Sequence, residues 1–62
     1  MVLLYKQIGI ERCTWVFLRG RQRLQIVKSE GVYYPGKFQT KEFIRKFDTY
    51  LKAYNYLQNG KF

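Results

Sequence analysis

The chain has 62 residues, of which twelve are Lys or Arg and four are Asp or Glu, so its formal net charge is +8. It contains one Cys and no His, which excludes Ser-His-Asp and Cys-His catalysis, an internal disulfide and a Cys-rich zinc site. A chain this short forms one domain and hides only about 60% of the surface of its unfolded form. We therefore predict a single domain over residues 1–62 that is not an enzyme and binds no metal or cofactor.

The composition favours a folded, basic binding module. Hydrophobic residues make up 47% of the chain and aromatic residues 19%, whereas disordered segments have low hydrophobicity. A pI near 9.9 makes nucleic acid, acidic proteins and anionic surfaces the natural partners. The apolar run at residues 1–5 is shorter than a signal peptide or a membrane span requires. Together with the single Cys13, this predicts an intracellular, cytoplasmic protein.

The first part of the chain predicts two strands. Residues 2–10 read as a strand that Gly9 weakens towards its end. Residues 13–19 give the stronger prediction, because β-branched and aromatic side chains follow one another there without a breaker.

A turn at Gly20-Arg21-Gln22 then predicts a β-hairpin in which residues 14–19 pair with residues 23–28. A second turn at residues 29–31 leads to a short further strand at 32–34, which Pro35-Gly36 is expected to end. All predicted strands therefore lie within residues 2–34.

The last third of the chain changes to a helical period. Thr40 predicts an N-cap, the helix is expected from about 41 to 58, and Asn59-Gly60 is a fitting stop. The apolar stripe of this helix is formed by Phe43, Ile44, Phe47, Tyr50, Leu51, Tyr54 and Leu57. The predicted fold class is α+β, with a small antiparallel sheet of three or four strands packed against one C-terminal amphipathic helix.

Alternation along the hairpin assigns its side chains to two faces of the sheet. The simplest pairing places four aliphatic side chains under the helix, namely Val16, Leu18, Leu24 and Ile26. The opposite, exposed face then carries Trp15, Phe17, Arg19, Arg23 and Gln25. The reverse arrangement stays open at this point, because a single Trp in a small domain usually belongs to the core.

An exposed face with aromatic rings beside arginines is typical of nucleic-acid-binding proteins, since guanidinium groups pair with phosphates and rings stack on bases. Three arginines within five residues surround Gly20 at the predicted turn. The candidate nucleic-acid-binding residues are Arg12, Trp15, Phe17, Arg19, Arg21, Arg23, Lys28, Lys37, Lys41 and Arg45.

Residues 34–42, YPGKFQTKE, resemble the strand-to-helix junction of the plant ethylene-response-factor DNA-binding domain and of the related arm-type DNA-binding domain of phage tyrosine integrases. The matching positions are Gly36, Phe38, Thr40 and Glu42, with Ile44 and Phe47 at apolar helix positions. This resemblance implies a sheet that binds the DNA major groove. It implies base or phosphate contacts for Arg12, Trp15, Arg19, Arg21 and Arg23.

We therefore predict a nucleic-acid-binding module that prefers double-stranded DNA to RNA, does not bind membranes, and is a monomer or small homo-oligomer. The alternative is a small protein-interaction module, such as a phage-type inhibitor or a subunit of a larger ribonucleoprotein-like assembly. Salt distinguishes the two, because the affinity of a polyanion binder falls steeply with salt concentration and that of an apolar interface does not.

Overall fold

The computed structural model describes residues 1–40, 43 and 45–60. Four antiparallel strands form one sheet in the order β1-β2-β3-β4, and one helix follows them. The elements are β1 (Val2–Ile8), β2 (Arg12–Arg19), β3 (Gln22–Ser29), β4 (Val32–Lys37) and α1 (Tyr50–Asn59). The predicted α+β fold is therefore confirmed, with four strands in the sheet.

Two tight turns connect the last three strands. The β2–β3 turn is closed by the pair Arg19 and Gln22, and Gly20 adopts a φ of 63° there. In the β3–β4 turn, Glu30 and Gly31 have φ values of 53° and 76°. Two successive positive φ values are the conformation of a type I′ turn, whose twist matches that of the strands it joins.

Strand β4 is longer than the sequence predicts, because it continues through Pro35 and Gly36 to Lys37. Proline is tolerated here since β4 is the last strand of the sheet, where a backbone N–H can be missing without breaking an internal ladder. A Cβ added to Gly36 would lie 3.2 Å from Thr40 Cγ2 and 3.6 Å from Phe43. The missing side chain thus allows the chain after β4 to pack closely against it.

The helix begins later than the sequence predicts. Thr49, and not Thr40, is its N-cap, and the Thr49 hydroxyl accepts a hydrogen bond of 3.2 Å from the backbone N–H of Lys52. Residues 43 and 45–49 are not helical, so the predicted start at about 41 is wrong for them. The remaining predicted helical positions 41, 42 and 44 lie outside the described residues.

Strand β4 explains why the first predicted turns of helix are absent at these residues. The backbone of Phe47 exchanges two hydrogen bonds with that of Tyr33, at 2.8 and 2.9 Å, and is thereby held beside the strand. The Phe43 ring lies 5.4 Å from the Tyr34 ring. The spacing of both phenylalanines fits the helical period, but in the structure both lie against β4. Periodicity alone cannot distinguish a helical residue from one that packs beside a strand.

The core lies between the sheet and one side of the helix. Helix α1 packs over β3 and β4, and its Ala53 and Leu57 are fully buried. The buried cluster consists of Phe17, Leu24, Ile26, Ala53 and Leu57. Every residue of β1 remains exposed, because the helix covers the other half of the sheet.

Leu57 provides a test of this packing, because it is fully buried whereas Leu51, on the same helix, is 65% exposed. We expect Leu57→Ala to lower the free energy of unfolding by about 2–5 kcal/mol. Leu51→Ala should change it by less than about 0.5 kcal/mol. Urea denaturation followed by circular dichroism measures both, and equal losses would contradict the orientation of the helix.

Candidate functional site

The register of the β2–β3 hairpin decides which side chains the sheet presents. Trp15 pairs with Ile26, and Phe17 pairs with Leu24. These four side chains share the face that α1 covers, called here the helix face. The predicted division of the faces is therefore wrong. A three-residue turn would have paired Arg19 with Arg23, and the actual two-residue turn shifts the register by one, which moves every side chain of one strand to the other face.

The two aromatic residues predicted to be exposed belong to the core. Phe17 is 2% exposed, and its ring lies 5.6 Å from that of Tyr54 on the helix. Trp15 is half-buried between Tyr33 and Tyr50, with ring separations of 6.1 and 5.1 Å. Neither offers a free face for stacking on a base, so the reading in which Trp15 and Phe17 face the helix is the correct one.

Tyr50 sits at the centre of this aromatic cluster, in contact with Trp15, Tyr33 and Tyr54. Burial raises the pKa of its phenol above the ordinary value, and the neighbouring Tyr54 adds to the effect. The phenol is therefore neutral throughout the physiological range, as suits a side chain under the helix.

Arg19 has a structural task. Its Nη1 donates hydrogen bonds to the carbonyls of Leu57, Gln58 and Gly60, at 2.9, 3.3 and 2.5 Å. The last carbonyls of a helix lack partners within the helix and carry the negative end of its dipole. One guanidinium satisfies them and joins the end of β2 to the end of α1. The predicted contact of Arg19 with nucleic acid is not supported by this arrangement.

The remaining predicted basic residues fall into two groups at opposite ends of the sheet. Arg21 lies in the β2–β3 turn, Arg23 follows it on β3, and Lys37 pairs with Leu24 at the end of β4. All three are exposed, and they are called here the basic end.

Arg12 and Lys28 lie at the other end, beside the β1–β2 and β3–β4 turns. Strand β2, of eight residues, spans about 24 Å between Arg12 and the β2–β3 turn, whereas Lys28 lies five positions, or about 17 Å, from Arg23 along β3. Arg45 is exposed on the segment that leads to Phe47, and Lys41 lies outside the described residues. The sheet thus brings together only part of the predicted site.

The described carboxylates are all away from the basic end. Glu11 and Glu30 occupy the β1–β2 and β3–β4 turns, at the opposite end of the sheet. Asp48 precedes the helix and forms a 3.0 Å ion pair with Lys52. The hydrogen bond from Lys52, followed by its positive charge, lowers the pKa of Asp48 below its ordinary value. Positive charge at the basic end is consequently not offset by any described acid nearby.

The face opposite the helix, called here the second face, carries Arg23 and Gln25 because they alternate with Leu24 and Ile26. Arg23 extends over the Phe38 ring, 5.8 Å from its centre. Gln25 is 6% exposed, and its Nε2 donates a 3.3 Å hydrogen bond to the Thr40 carbonyl. The chain after β4 therefore covers part of this face.

A cleft of about 870 Å³ remains on the second face beside that segment. Its lining residues are Arg12, Thr14, Gln25, Val27, Ser29, Tyr34, Gln39, Thr40 and Phe43. Among the described residues, the lining includes aromatic rings, hydrogen-bonding groups and one charged side chain, that of Arg12. A cleft with these groups can accept a planar or anionic ligand.

Sequence reasoning missed Phe38, Phe43 and Tyr34 as parts of the second face. Phe38 approaches Arg23 across fifteen positions of the chain, and Phe43 packs on Tyr34. No local pattern signals either contact, because both depend on how the chain turns back after β4.

Other basic side chains also lie on aromatic rings, with Lys6 5.1 Å from the centre of Trp15 and Lys28 5.4 Å from that of Tyr33.

Comparisons with known proteins identify no relative, since no protein-family model, curated protein or solved structure matches this chain. The resemblance of residues 34–42 to a DNA-binding domain therefore stays a prediction. Within the described part of the chain, no three His, Cys, Asp or Glu side chains are grouped so as to hold a metal ion. The described helix is neither long nor apolar enough to cross a membrane.

The structural task of Arg19 is testable by a substitution that preserves charge. Arg19→Lys keeps the charge, but the lysine side chain is one bond shorter than the path to Nη1, so its ammonium does not reach the same three carbonyls. We expect the free energy of unfolding to fall by about 1–3 kcal/mol. The control is Arg21→Lys, two residues away and exposed, which should change it by less than about 0.5 kcal/mol. Unfolding in urea measures both variants, and an unchanged Arg19→Lys would show that the helix end needs no guanidinium.

Proposed function

We propose that this chain is a non-enzymatic nucleic-acid-binding module that contacts the phosphate backbone through its basic end and the adjoining second face. The observation that carries this proposal is the separation of charge along the sheet. Arg21, Arg23 and Lys37 are exposed at one end, with no described acid nearby. At the other end, Glu11 and Glu30 offset the charges of Arg12 and Lys28. With a net charge of +8, the basic end is where a polyanion gains most.

The shape of the basic end favours contacts with phosphates over reading of base edges. The β2–β3 turn extends beyond its neighbours by little more than the Arg19–Gln22 pair, because Val2 of β1 already pairs with Leu18. A turn this short lies on a groove edge more readily than deep within the groove. Arginine is well suited to this role, since its guanidinium binds phosphate oxygens bidentately.

Double-stranded DNA is the first candidate ligand, and the resemblance to DNA-binding domains supports that order. The residues that would carry the contact differ from those first predicted. Arg21 and Arg23 keep their proposed roles, because both are exposed and Arg23 lies on the second face, away from the helix. Trp15 and Arg19 do not, because the helix face and the helix end occupy them. RNA is the second candidate, since the Arg23–Phe38 contact and the cleft beside Tyr34 could hold an unpaired base.

The test is a double variant at the basic end, Arg21→Ala with Arg23→Ala. We expect its affinity for a fluorescein-labelled duplex of about 20 base pairs to fall by about tenfold or more at ~0.1 M salt. The slope of log K against log salt should decrease by about 2, because two phosphate contacts are lost. Fluorescence anisotropy at several salt concentrations measures both, and an RNA hairpin and a single strand tested in parallel rank the ligands.

The matched control is Lys46→Ala with Lys52→Ala, which removes the same charge from exposed positions beside the start of the helix. Both double variants have a net charge of 8 − 2 = +6. We expect the control to change affinity by less than about threefold. Equal losses of affinity in the two variants would assign binding to overall charge and not to the basic end. The proposal would be overturned if none of the three ligands binds with an affinity that depends on salt.

A protein-interaction module is the second candidate function, and strand β1 is the observation that favours it. All seven residues of this edge strand are exposed, and large apolar side chains dominate it. Exposed apolar patches of this kind mark interaction surfaces. The affinity of an apolar interface at β1 would be kept as the salt concentration rises, whereas the affinity of the basic end for a polyanion would fall.

A further inference from the structure

Strand β1 concentrates the exposed apolar surface of the molecule. Among the described residues, six of the seven large apolar or aromatic side chains left exposed lie within residues 2–10, and the seventh is Leu51 on the helix. The six are Val2, Leu3, Leu4, Tyr5, Ile8 and Ile10. Ile8 is 75% exposed although it lies within a strand. Surface this apolar, on a chain this strongly charged, is a liability unless something covers it.

The backbone of β1 also has a free side. Gly9 donates a 2.7 Å hydrogen bond to the Arg12 carbonyl at the β1–β2 turn. Because inward and outward groups alternate along an antiparallel strand, the amides of Ile8 and Lys6 point away from β2. The opposite edge of the sheet differs, since Phe47 pairs with Tyr33 of β4. An unpaired strand edge is a ready template for another strand.

We propose that β1 pairs antiparallel with β1 of a second copy of this chain, which joins two sheets into one of eight strands about a two-fold axis. A strand edge is completed by another extended segment with a free edge, and β1 of a second copy is such a segment, with the same exposed apolar side chains. Pairing β1 with β4 of another copy would be open-ended, but the Phe47 bridge occupies part of that edge. The two-fold arrangement closes on itself and leaves no further edge of this kind.

The charges of β1 fit this arrangement. Lys6 is its one charged residue, and its ammonium lies over the Trp15 ring of its own chain, away from the strand edge. A pairing centred on Gln7 places Lys6 opposite Ile8 of the second copy, so the two ammonium groups do not face each other. The register shift between Leu3 and Tyr5 leaves the regular part of β1, from Tyr5 onwards, for this pairing.

The antiparallel arrangement also separates the two basic ends. Val2 lies beside Leu18, next to the β2–β3 turn, so each basic end is at the Val2 end of its own β1. In the two-fold pair, these ends point in opposite directions along the joint sheet. Repulsion between two chains of charge +8 is thereby lowered, and screening by salt lowers it further. Association should therefore strengthen as salt rises, whereas polyanion binding weakens.

The test is sedimentation equilibrium of the free protein, without nucleic acid, at about 0.05 and about 0.5 M salt. We expect a reversible species of twice the 7.6 kDa chain mass, favoured at the higher salt. Ile8→Lys should weaken association by about tenfold or more, because it replaces an apolar side chain of the paired surface by a charged one at the position opposite Lys6 of the second copy. Ile8→Pro should weaken it similarly, because it removes an outward N–H without taking a bond from the β1–β2 ladder.

The matched control is Leu51→Lys, which makes the same change of charge at an exposed leucine on the helix and should change the dimer constant by less than about twofold. Thermal unfolding verifies that all variants fold. A 7.6 kDa species at all concentrations and both salts, or equal weakening by Leu51→Lys, would overturn the proposal. The variant Arg21→Ala with Arg23→Ala should dimerise normally, so failure of the nucleic-acid proposal and failure of this one are observed separately.

Discussion

The guanidinium of Arg19 joins two parts of the chain that are 38 to 41 residues apart in sequence. It satisfies the carbonyls at the end of α1, and it thereby fixes which face of the sheet the helix covers. Once the helix lies on that face, Trp15 and Phe17 must be core residues, since they alternate to the same side of β2 as Arg19. The surfaces that the helix does not cover are consequently the second face, the ends of the strands and the β1 edge of the sheet.

A single helix of ten residues cannot cover a sheet of four strands, and each uncovered surface has its own character. The second face is partly covered by Thr40 and Phe43. The basic end is charged because the β2–β3 turn holds arginine, whereas the two turns at the other end hold Glu11 and Glu30. Successive turns of an antiparallel meander lie at alternate ends of the sheet. The turn that holds arginine therefore lies at one end, and the two turns that hold glutamate lie at the other.

The strands and the fold class follow from local sequence, but two features depend on more distant contacts. The strand signals at residues 13–19 and 23–28 came from β-branched and aromatic side chains, which act locally. The hairpin register did not, because Gln22 could belong either to the turn or to β3, and that one residue decides whether Trp15 shares its face with Leu24 and Ile26 or with Arg23 and Gln25. The start of the helix could not be predicted from local sequence either, because the backbone of Phe47 is hydrogen-bonded to that of Tyr33, fourteen positions earlier. A candidate site deduced from face assignments inherits both errors, whereas Arg21 is placed by the turn and does not depend on them.

The exposure of β1 has the same origin as the position of the core. Helix α1 packs over β3 and β4, the strands nearest to it in sequence, because Phe47, three residues before the helix begins, is already paired with Tyr33 of β4. β1 is the most distant strand in the sheet order and receives no cover from the helix. Among the described residues, α1 is the one helix, and it lies over the opposite half of the sheet. The proposed pairing of β1 with β1 of a second copy would bury this exposed strand. It would also leave both basic ends accessible to the proposed polyanion.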